Sequence, residues 1–152
     1  MVKNSLADPK YVFMWLEPLC NLKCDHCHNW RNHEPDRTLN IEDRKEIIEE
    51  LHDWLGEDFT LILNGGEPFM YHGIIELINK ASKNGIKTSL TSNGTLINKE
   101  LSNKIIESEL NFLSISLDSL ELEIHDKTRR VKGSNKRARK GIHNLKEEKE
   151  HL

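Results

Sequence analysis

Cysteine is scarce in this sequence, and what there is lies in one place. Three cysteines fall within Cys20-Asn-Leu-Lys-Cys24-Asp-His-Cys27, and no other occurs among 152 residues. An odd number packed this closely makes a poor disulfide framework. Long apolar runs are missing too: nothing approaches the roughly 18 residues a membrane span needs. Met1–Lys10 is mostly polar and is followed only by the short run Tyr11–Leu16, so no signal-peptide core is expected, and cytoplasmic residence follows by default. Neither sign of charge dominates. The 22 Lys and Arg stand against 25 Asp and Glu, a net charge of −3, which excludes a long-range pull toward nucleic acid or anionic membrane. The basic stretch Lys127–Lys140 reads as a solvated loop and helix face, with a phosphate or carboxylate site as the alternative. No paired carboxylates and no Ser/His/Asp set stand out, and Gly65-Gly66 lacks the Gly-Lys-Ser/Thr of a phosphate loop. With 36% hydrophobic and 31% charged residues, the chain reads as one globular domain over residues 1–152, long enough for a real core.

The elements alternate. Tyr11–Leu16 is rich in strand formers and Pro18 closes it. Ile41–Leu55 carries apolar residues at helical spacing and stops at Gly56. Phe59–Leu63 reads as a second strand ended by Asn64-Gly65-Gly66, and Tyr71–Lys83 as a helix stopped by Asn84-Gly85. Ile86–Leu90 is a strand, Asn98–Glu107 a helix, Phe112–Leu117 a fourth strand, and Ser134–Glu150 the last helix. This order predicts an α/β fold, a parallel sheet of four βα units in the order 1-2-3-4 with helices on one face. In such folds the functional sites gather at the C-terminal ends of the strands. The cysteines, Gly65-Gly66-Glu67-Pro68, Thr91-Ser92-Asn93-Gly94 and Ser116–Ser119 all follow strands, so four polar turns are expected on one rim.

The cysteine loop can wrap three thiolates around three corners of an iron–sulfur cubane, and sulfur ligands suit such a cluster. No fourth cysteine exists, so one iron is left for another ligand. Zinc, held by the cysteines with His26 or His28, is the alternative. Against it stand the position of His26 between two ligands and the 4-then-3 spacing. Trp30 reads as packing for the loop. His33, His52, His72, His125, His143 and His151 show no metal spacing and read as surface or cap residues.

Cys20-x3-Cys24-x2-Cys27 after a first strand, followed by Gly65-Gly66-Glu67-Pro68, Thr91-Ser92-Asn93-Gly94 and Ser116-Leu117-Asp118-Ser119, resembles the radical S-adenosylmethionine enzymes. The wording is closest to their molybdenum-cofactor, sulfatase-maturing and peptide-modifying branch, and the resemblance covers Tyr11 to Leu145. It implies a [4Fe–4S] cluster on Cys20, Cys24 and Cys27, with S-adenosylmethionine chelating the open iron. The implied reaction is reductive cleavage of that cofactor to a 5′-deoxyadenosyl radical, which abstracts hydrogen from a substrate; the chemistry belongs to the cofactors and the protein positions them. Gly65 and Gly66 would let the backbone approach the methionine amino group, and Glu67 would partner that amino group or organise the turn. His26 would stack near the adenine, and Ser92 and Asn93 would face the cofactor. Ser116 would bind the methionine carboxylate and Asp118 the ribose hydroxyls or its own turn. Arg129 and Arg137 are the candidates for a basic partner of the carboxylate. An electron donor such as a reduced flavodoxin or ferredoxin is implied as a partner.

The family usually has six βα units, so this chain resembles a truncated partial (β/α)6 TIM-like barrel, incomplete at the C-terminus. Related sequences usually carry an aromatic residue where Asn135 stands and an aliphatic one where Arg139 stands. That leaves Ala138, Ile142 and Leu145 as the apolar face of the last helix, a weak purchase on the sheet. Strand four is expected to be an open edge covered by a complementing subunit, by self-association or by the chain's own C-terminal segment. A non-catalytic iron–sulfur protein, or one half of a split enzyme, is the alternative to a complete catalyst.

Overall fold

Alternation within the strands decides which face of the sheet is covered. The computed structural model describes residues 7–31 and 39–150; His33 and His151 lie outside the described residues. The elements run β1 (Tyr11–Trp15), α1 (Ile41–Leu55), β2 (Thr60–Asn64), α2 (Ile74–Lys83), β3 (Lys87–Ser92), α3 (Lys99–Glu107), β4 (Phe112–Ile115), α4 (Leu122–Arg129) and α5 (Ser134–Glu150). The four strands are parallel and ordered β1-β2-β3-β4, as the alternating pattern predicts. Met14, Leu61, Leu63 and Leu90 point to one face, where they are buried with Ile48 of α1 and Ile74, Leu77, Ile78 and Ala81 of α2. The other face carries Phe13 opposite Ile62, Ile62 opposite Ser89, and Ser89 opposite Phe112. Tyr11, Phe13, Trp15 and Phe112 on it are each more than half exposed. Among the described residues the sheet is covered on one side.

Local signals set the helix ends. Asn40 and Asp43 form a reciprocal capping box at the start of α1, which satisfies two of the helix's free backbone donors. Asn98 accepts from the Leu101 N–H to cap α3. At the end of α2, Gly85 takes φ +69°, a left-handed turn open to glycine at little cost. Strand β4 stops at Ile115, two residues before the sequence reading ends it. The Ser116 N–H still reaches the Ser92 carbonyl, but β3 ends there, and the Asp118 N–H turns to His125 Nδ1 at 3.2 Å.

Two larger features depart from the sequence reading, and with them His125, expected at the surface, is 1% exposed. Helix α4 was not expected; the segment after the fourth strand carries His125 and Arg129 one helical turn apart, both buried. The docking face of α5 also differs. Ser134, Asn135, Ala138, Gly141 and Asn144 form its buried side, whereas Ile142 is 40% exposed. Ile142 and Leu145 instead line an apolar cleft of about 470 Å³ beside Leu113 and Ile115 of β4. The helix is held by small residues and amides: Asn144 Nδ2 donates to the Ile97 carbonyl at 2.8 Å and Asn135 Nδ2 to the Ser119 carbonyl at 2.8 Å. Asn135 is therefore held by a buried hydrogen bond. Among the described residues no strand pairs with the outer edge of β4, and no helix is long and apolar enough to cross a membrane.

A Cβ at Gly141 would lie 2.3 Å from the Gly94 carbonyl oxygen. Alanine should gain about 1 kcal/mol of helix propensity at this position. We expect the clash to win, with Gly141→Ala destabilising the fold by a net ~1–2 kcal/mol in urea unfolding. A stabilised variant would show that α5 does not dock against this turn.

Candidate cofactor site

The site begins where β1 ends. Arg44 of α1, 1% exposed, donates to the Trp15 and Leu16 carbonyls at 2.6 and 2.7 Å. Its guanidinium also lies over the Tyr71 ring. A buried cation spent on backbone carbonyls fixes the last residues of the strand before the cysteine loop departs. The next residues run against the glycine turn: the Gly66 N–H donates to the Glu17 carbonyl at 2.7 Å and the Glu67 N–H to the Leu19 carbonyl at 2.8 Å. A Cβ at Gly66 would sit 2.1 Å from the Leu19 oxygen, and one at Gly65 would sit 2.6 Å from the Glu17 oxygen. These glycines are thus required by the chain's own backbone. The Gly65 carbonyl accepts from Asn29 Nδ2 at 2.9 Å, which ties the turn to the far end of the cysteine loop.

Glu67 joins the second and third rim segments. Its carboxylate, 3% exposed, accepts from Ser92 Oγ and the Asn93 N–H at 2.7 Å each and from the Phe69 N–H at 3.3 Å. Burial pushes its pKa up, against the pull of those three donors. Of the two roles read for Glu67, the structure supports the organiser of the turn. Asn93 in turn donates to Asn21 Oδ1 at 2.8 Å, so the third segment also holds the cysteine loop.

The loop itself is gripped from α4. The Lys23 N–H donates to the Arg129 carbonyl at 3.3 Å and the Asp25 N–H to the Thr128 carbonyl at 3.0 Å; Arg130 pairs with Asp25. Trp30, half-buried, donates to the Cys24 carbonyl at 3.1 Å. Cys24 is buried, while Cys20 and Cys27 are partly exposed. Burial raises the Cys20 pKa against a lowering hydrogen bond from the Leu22 N–H, and Glu67 and the two neighbouring thiols add to the rise.

Cys20, Cys24, Cys27, His26, Gly65, Gly66, Glu67, Ser92, Asn93, Ser116 and Arg129 all line one cleft of about 410 Å³. Two expected residues do not. Asp118 stands behind Arg129, its two oxygens each accepting a guanidinium N–H at 2.7 Å, so they are committed within the protein and not held out for ribose. Burial works against Asp118 ionising, but Arg129 outweighs it and the pKa lies below the ordinary value. Arg137 is exposed and its guanidinium reaches the Lys132 carbonyl at 3.4 Å; it lies on the outer side of α5's first turn, away from the cleft. The sequence reading weighed His28 only as a zinc ligand and missed Asn29, both of which line the cleft, and it missed the grip of α4.

Among the described residues no group of three His, Cys, Asp or Glu is placed to hold one metal ion, yet three thiols face one cleft. Sulfur donors gathered on one cleft fit an iron–sulfur cluster that takes one thiolate at each of three corners.

Two substitutions probe this architecture without any cofactor. Gly66→Ala should cost ~1–3 kcal/mol by overpacking and should speed native-state alkylation of Cys20 by displacing Leu19. Glu67→Ala should cost about 1–3 kcal/mol by leaving the buried Asn93 N–H unpaired. Unfolding curves and thiol-labelling rates check both, and a wild-type labelling rate in Gly66→Ala would contradict the first.

Comparison with known proteins places this geometry. The model of the Radical SAM superfamily matches residues 18–150. The Fe-coproporphyrin III synthase of Methanosarcina barkeri is 35% identical over 143 residues, 93% of this chain and 35% of that protein. The mycofactocin maturase MftC of Mycolicibacterium smegmatis is 32% identical over 126 residues, 83% of this chain and 31% of that protein. The chain therefore spans about a third of the length of these relatives. Among solved structures, Streptococcus suis SuiB bound to precursor peptide SuiA superposes with a TM-score of 0.72 at 24% identity, covering 90% of this chain and 31% of that one. The native anSMEcpe with bound AdoMet and Cp18Cys peptide superposes with a TM-score of 0.74 at 20% identity, covering 93% and 41%; at such identities the likeness shows the fold. With nearly the whole chain matched by that family's model, the protein belongs to the radical SAM superfamily.

Proposed function

We propose that the chain holds a [4Fe–4S] cluster on Cys20, Cys24 and Cys27 and takes S-adenosylmethionine at the iron left without a thiolate. The observation that carries this reading is the single cleft shared by three thiols, the Gly65–Glu67 turn and Ser116. Once bound and reduced, the cluster would supply the one electron that splits S-adenosylmethionine into methionine and a 5′-deoxyadenosyl radical, which takes hydrogen from a substrate. The rest is the protein's part. The cysteine loop fixes the cluster against β1, and the backbone of the glycine turn borders the space for the amino acid moiety. The Ser116 hydroxyl is the donor for its carboxylate. His26, exposed at the mouth, offers a flat ring to the adenine.

A second reading, a non-catalytic protein that carries the cluster, is favoured by one observation. The sheet face bearing Phe13 and Trp15 is open, and radical chemistry needs water kept out and the reacting atoms held within about 1 Å, an error of that size costing on the order of 100-fold in rate. A complementing subunit or a second copy against β4 would close that face. A reduced flavodoxin or ferredoxin is the class of electron donor proposed.

Anaerobic reconstitution should load about four irons and four sulfides per chain, and Cys24→Ala should abolish stable loading while Asp25→Ala leaves it. S-adenosylmethionine should perturb the electron paramagnetic resonance signal of the reduced cluster, with slow release of methionine and 5′-deoxyadenosine. Tight binding of one zinc with no cluster would sink the cluster reading. An unchanged signal on a correctly built cluster would leave the non-catalytic reading standing.

A further inference from the structure

Arg129 has its guanidinium fork occupied inside the protein. It sits in the last turn of α4 and is 8% exposed. Its Nε and Nη2 donate to the two oxygens of Asp118 at 2.7 Å each. The remaining terminal nitrogen, Nη1, points at Cys24 Sγ, 3.6 Å away. Asp118 is itself fixed, because its backbone N–H donates to His125 Nδ1 at 3.2 Å and His125 is 1% exposed. The chain of contacts therefore runs from His125 through Asp118 and Arg129 to the sulfur of the most buried cysteine.

A bidentate guanidinium–carboxylate pair is geometrically rigid. The side-on fork of Nε and Nη2 is closed on Asp118, which leaves only the end of the guanidinium for anything in the cleft. What faces the cleft is one N–H edge of a permanent cation, aimed at a thiol. Backbone bonds from Lys23 and Asp25 to α4 carbonyls bracket Cys24 on both sides, so the sulfur and the guanidinium cannot drift apart independently.

We propose that Arg129 donates a hydrogen bond to the Cys24 thiolate of the loaded protein and makes its cluster easier to reduce, with Asp118 as the positioning residue that aims the guanidinium. The proposal rests on the cluster reading above. Reduction adds one electron to the cluster and its thiolates, and a hydrogen bond from a buried cation stabilises the added charge. Asp118 offsets part of that effect, but it lies on the far side of the guanidinium, and Coulomb energy falls with distance, so the nearer positive charge dominates at the sulfur.

The test uses the full chain, reconstituted anaerobically and held at a fixed potential near the wild-type midpoint, with iron content and the reduced-cluster resonance signal as readouts. Arg129→Gln, which removes the charge, should shift the oxidised-to-reduced ratio about tenfold toward the oxidised cluster, about 59 mV for a one-electron couple. Arg129→Lys keeps the charge without the fork and should fall between wild type and Gln. Asp118→Asn removes the offsetting negative charge, which by itself would favour the reduced cluster, so a shift toward the oxidised cluster in this variant, smaller than that of Arg129→Gln, reports the lost aim of the guanidinium; a shift toward the reduced cluster would overturn the positioning role of Asp118. Should Arg129→Gln fail to load, the Lys and Asn variants carry the same reading. Fully loaded variants with the wild-type ratio would overturn the proposal alone. A wild-type protein that takes up no four-iron cluster would overturn it together with the function it rests on.

Discussion

The position of the cysteine loop depends on one close approach, that of the Gly66 backbone to Leu19. With 2.1 Å between the Leu19 oxygen and the place of a Cβ, no side chain larger than hydrogen fits without moving a backbone. Two hydrogen bonds lock the pair in register, Gly66 to Glu17 and Glu67 to Leu19. Cys20 follows immediately. The stub of β1 is thus nailed to the end of β2 one residue before the first thiol, and the start of the cysteine loop takes its position from that contact. Arg44 secures the same stub from the helix side, where it satisfies the carbonyls of Trp15 and Leu16. Two carbonyls that would otherwise be buried without partners are matched by one guanidinium.

From there the rim is assembled by polar contacts between loops more than by apolar packing. Glu67 draws the third segment in through Ser92 and Asn93, and Asn93 passes the connection to Asn21 in the cysteine loop. The apolar core lies beneath, between the covered face of the sheet and α1 and α2. This division has a physical reason. The sheet and its helices can be rigid through burial alone, whereas turns around a charged cofactor must present donors and acceptors, and buried polar groups hold position only when each is paired.

The repeating elements and the convergence of the rim segments were legible in the sequence because periodicity and turn residues are local signals. Ile41–Leu55 and Ser134–Glu150 run from the same first to the same last residue in both readings. What sequence did not disclose were relations between distant segments. Gly65 and Gly66 stood out, but their partner, the backbone of Glu17–Leu19, has no side-chain signature. Arg129 and Arg137 were indistinguishable as residues eight apart in a basic stretch; only the path of α4 turns one inward and leaves the other on the surface. The His125–Arg129 spacing of one helical turn was the available clue to α4, and a short helix with mean polarity this high gives little apolar periodicity to find. The face of α5 was misread for a related cause: a helix docking through Ala138, Gly141 and amide hydrogen bonds is invisible to a count of large apolar residues.

Helix α4 therefore has consequences beyond its eight residues. Its C-terminal carbonyls accept from the cysteine loop, its Arg129 takes hold of Asp118, and Asp126 caps the start of α5 by accepting from the Asn135 N–H at 2.9 Å and Ser134 Oγ at 2.9 Å. Asp126 is held below its ordinary pKa first by the Asn135 N–H, with burial opposing, as suits an anion at a helix N-terminus. One short element thus joins the end of β4, the entry of the last helix and the middle of the cysteine loop. A disturbance at the open β4 edge would reach Cys24 through this helix before it reached Cys20, which is tied to β1 and β2 instead. The thiols are consequently held by two separate supports. In the proposed holoprotein the cluster would be the piece that bridges them, and loading it should tighten β4 and α4 against the β1–β2 half of the sheet, since a ligand that binds both supports only in their native arrangement stabilises that arrangement.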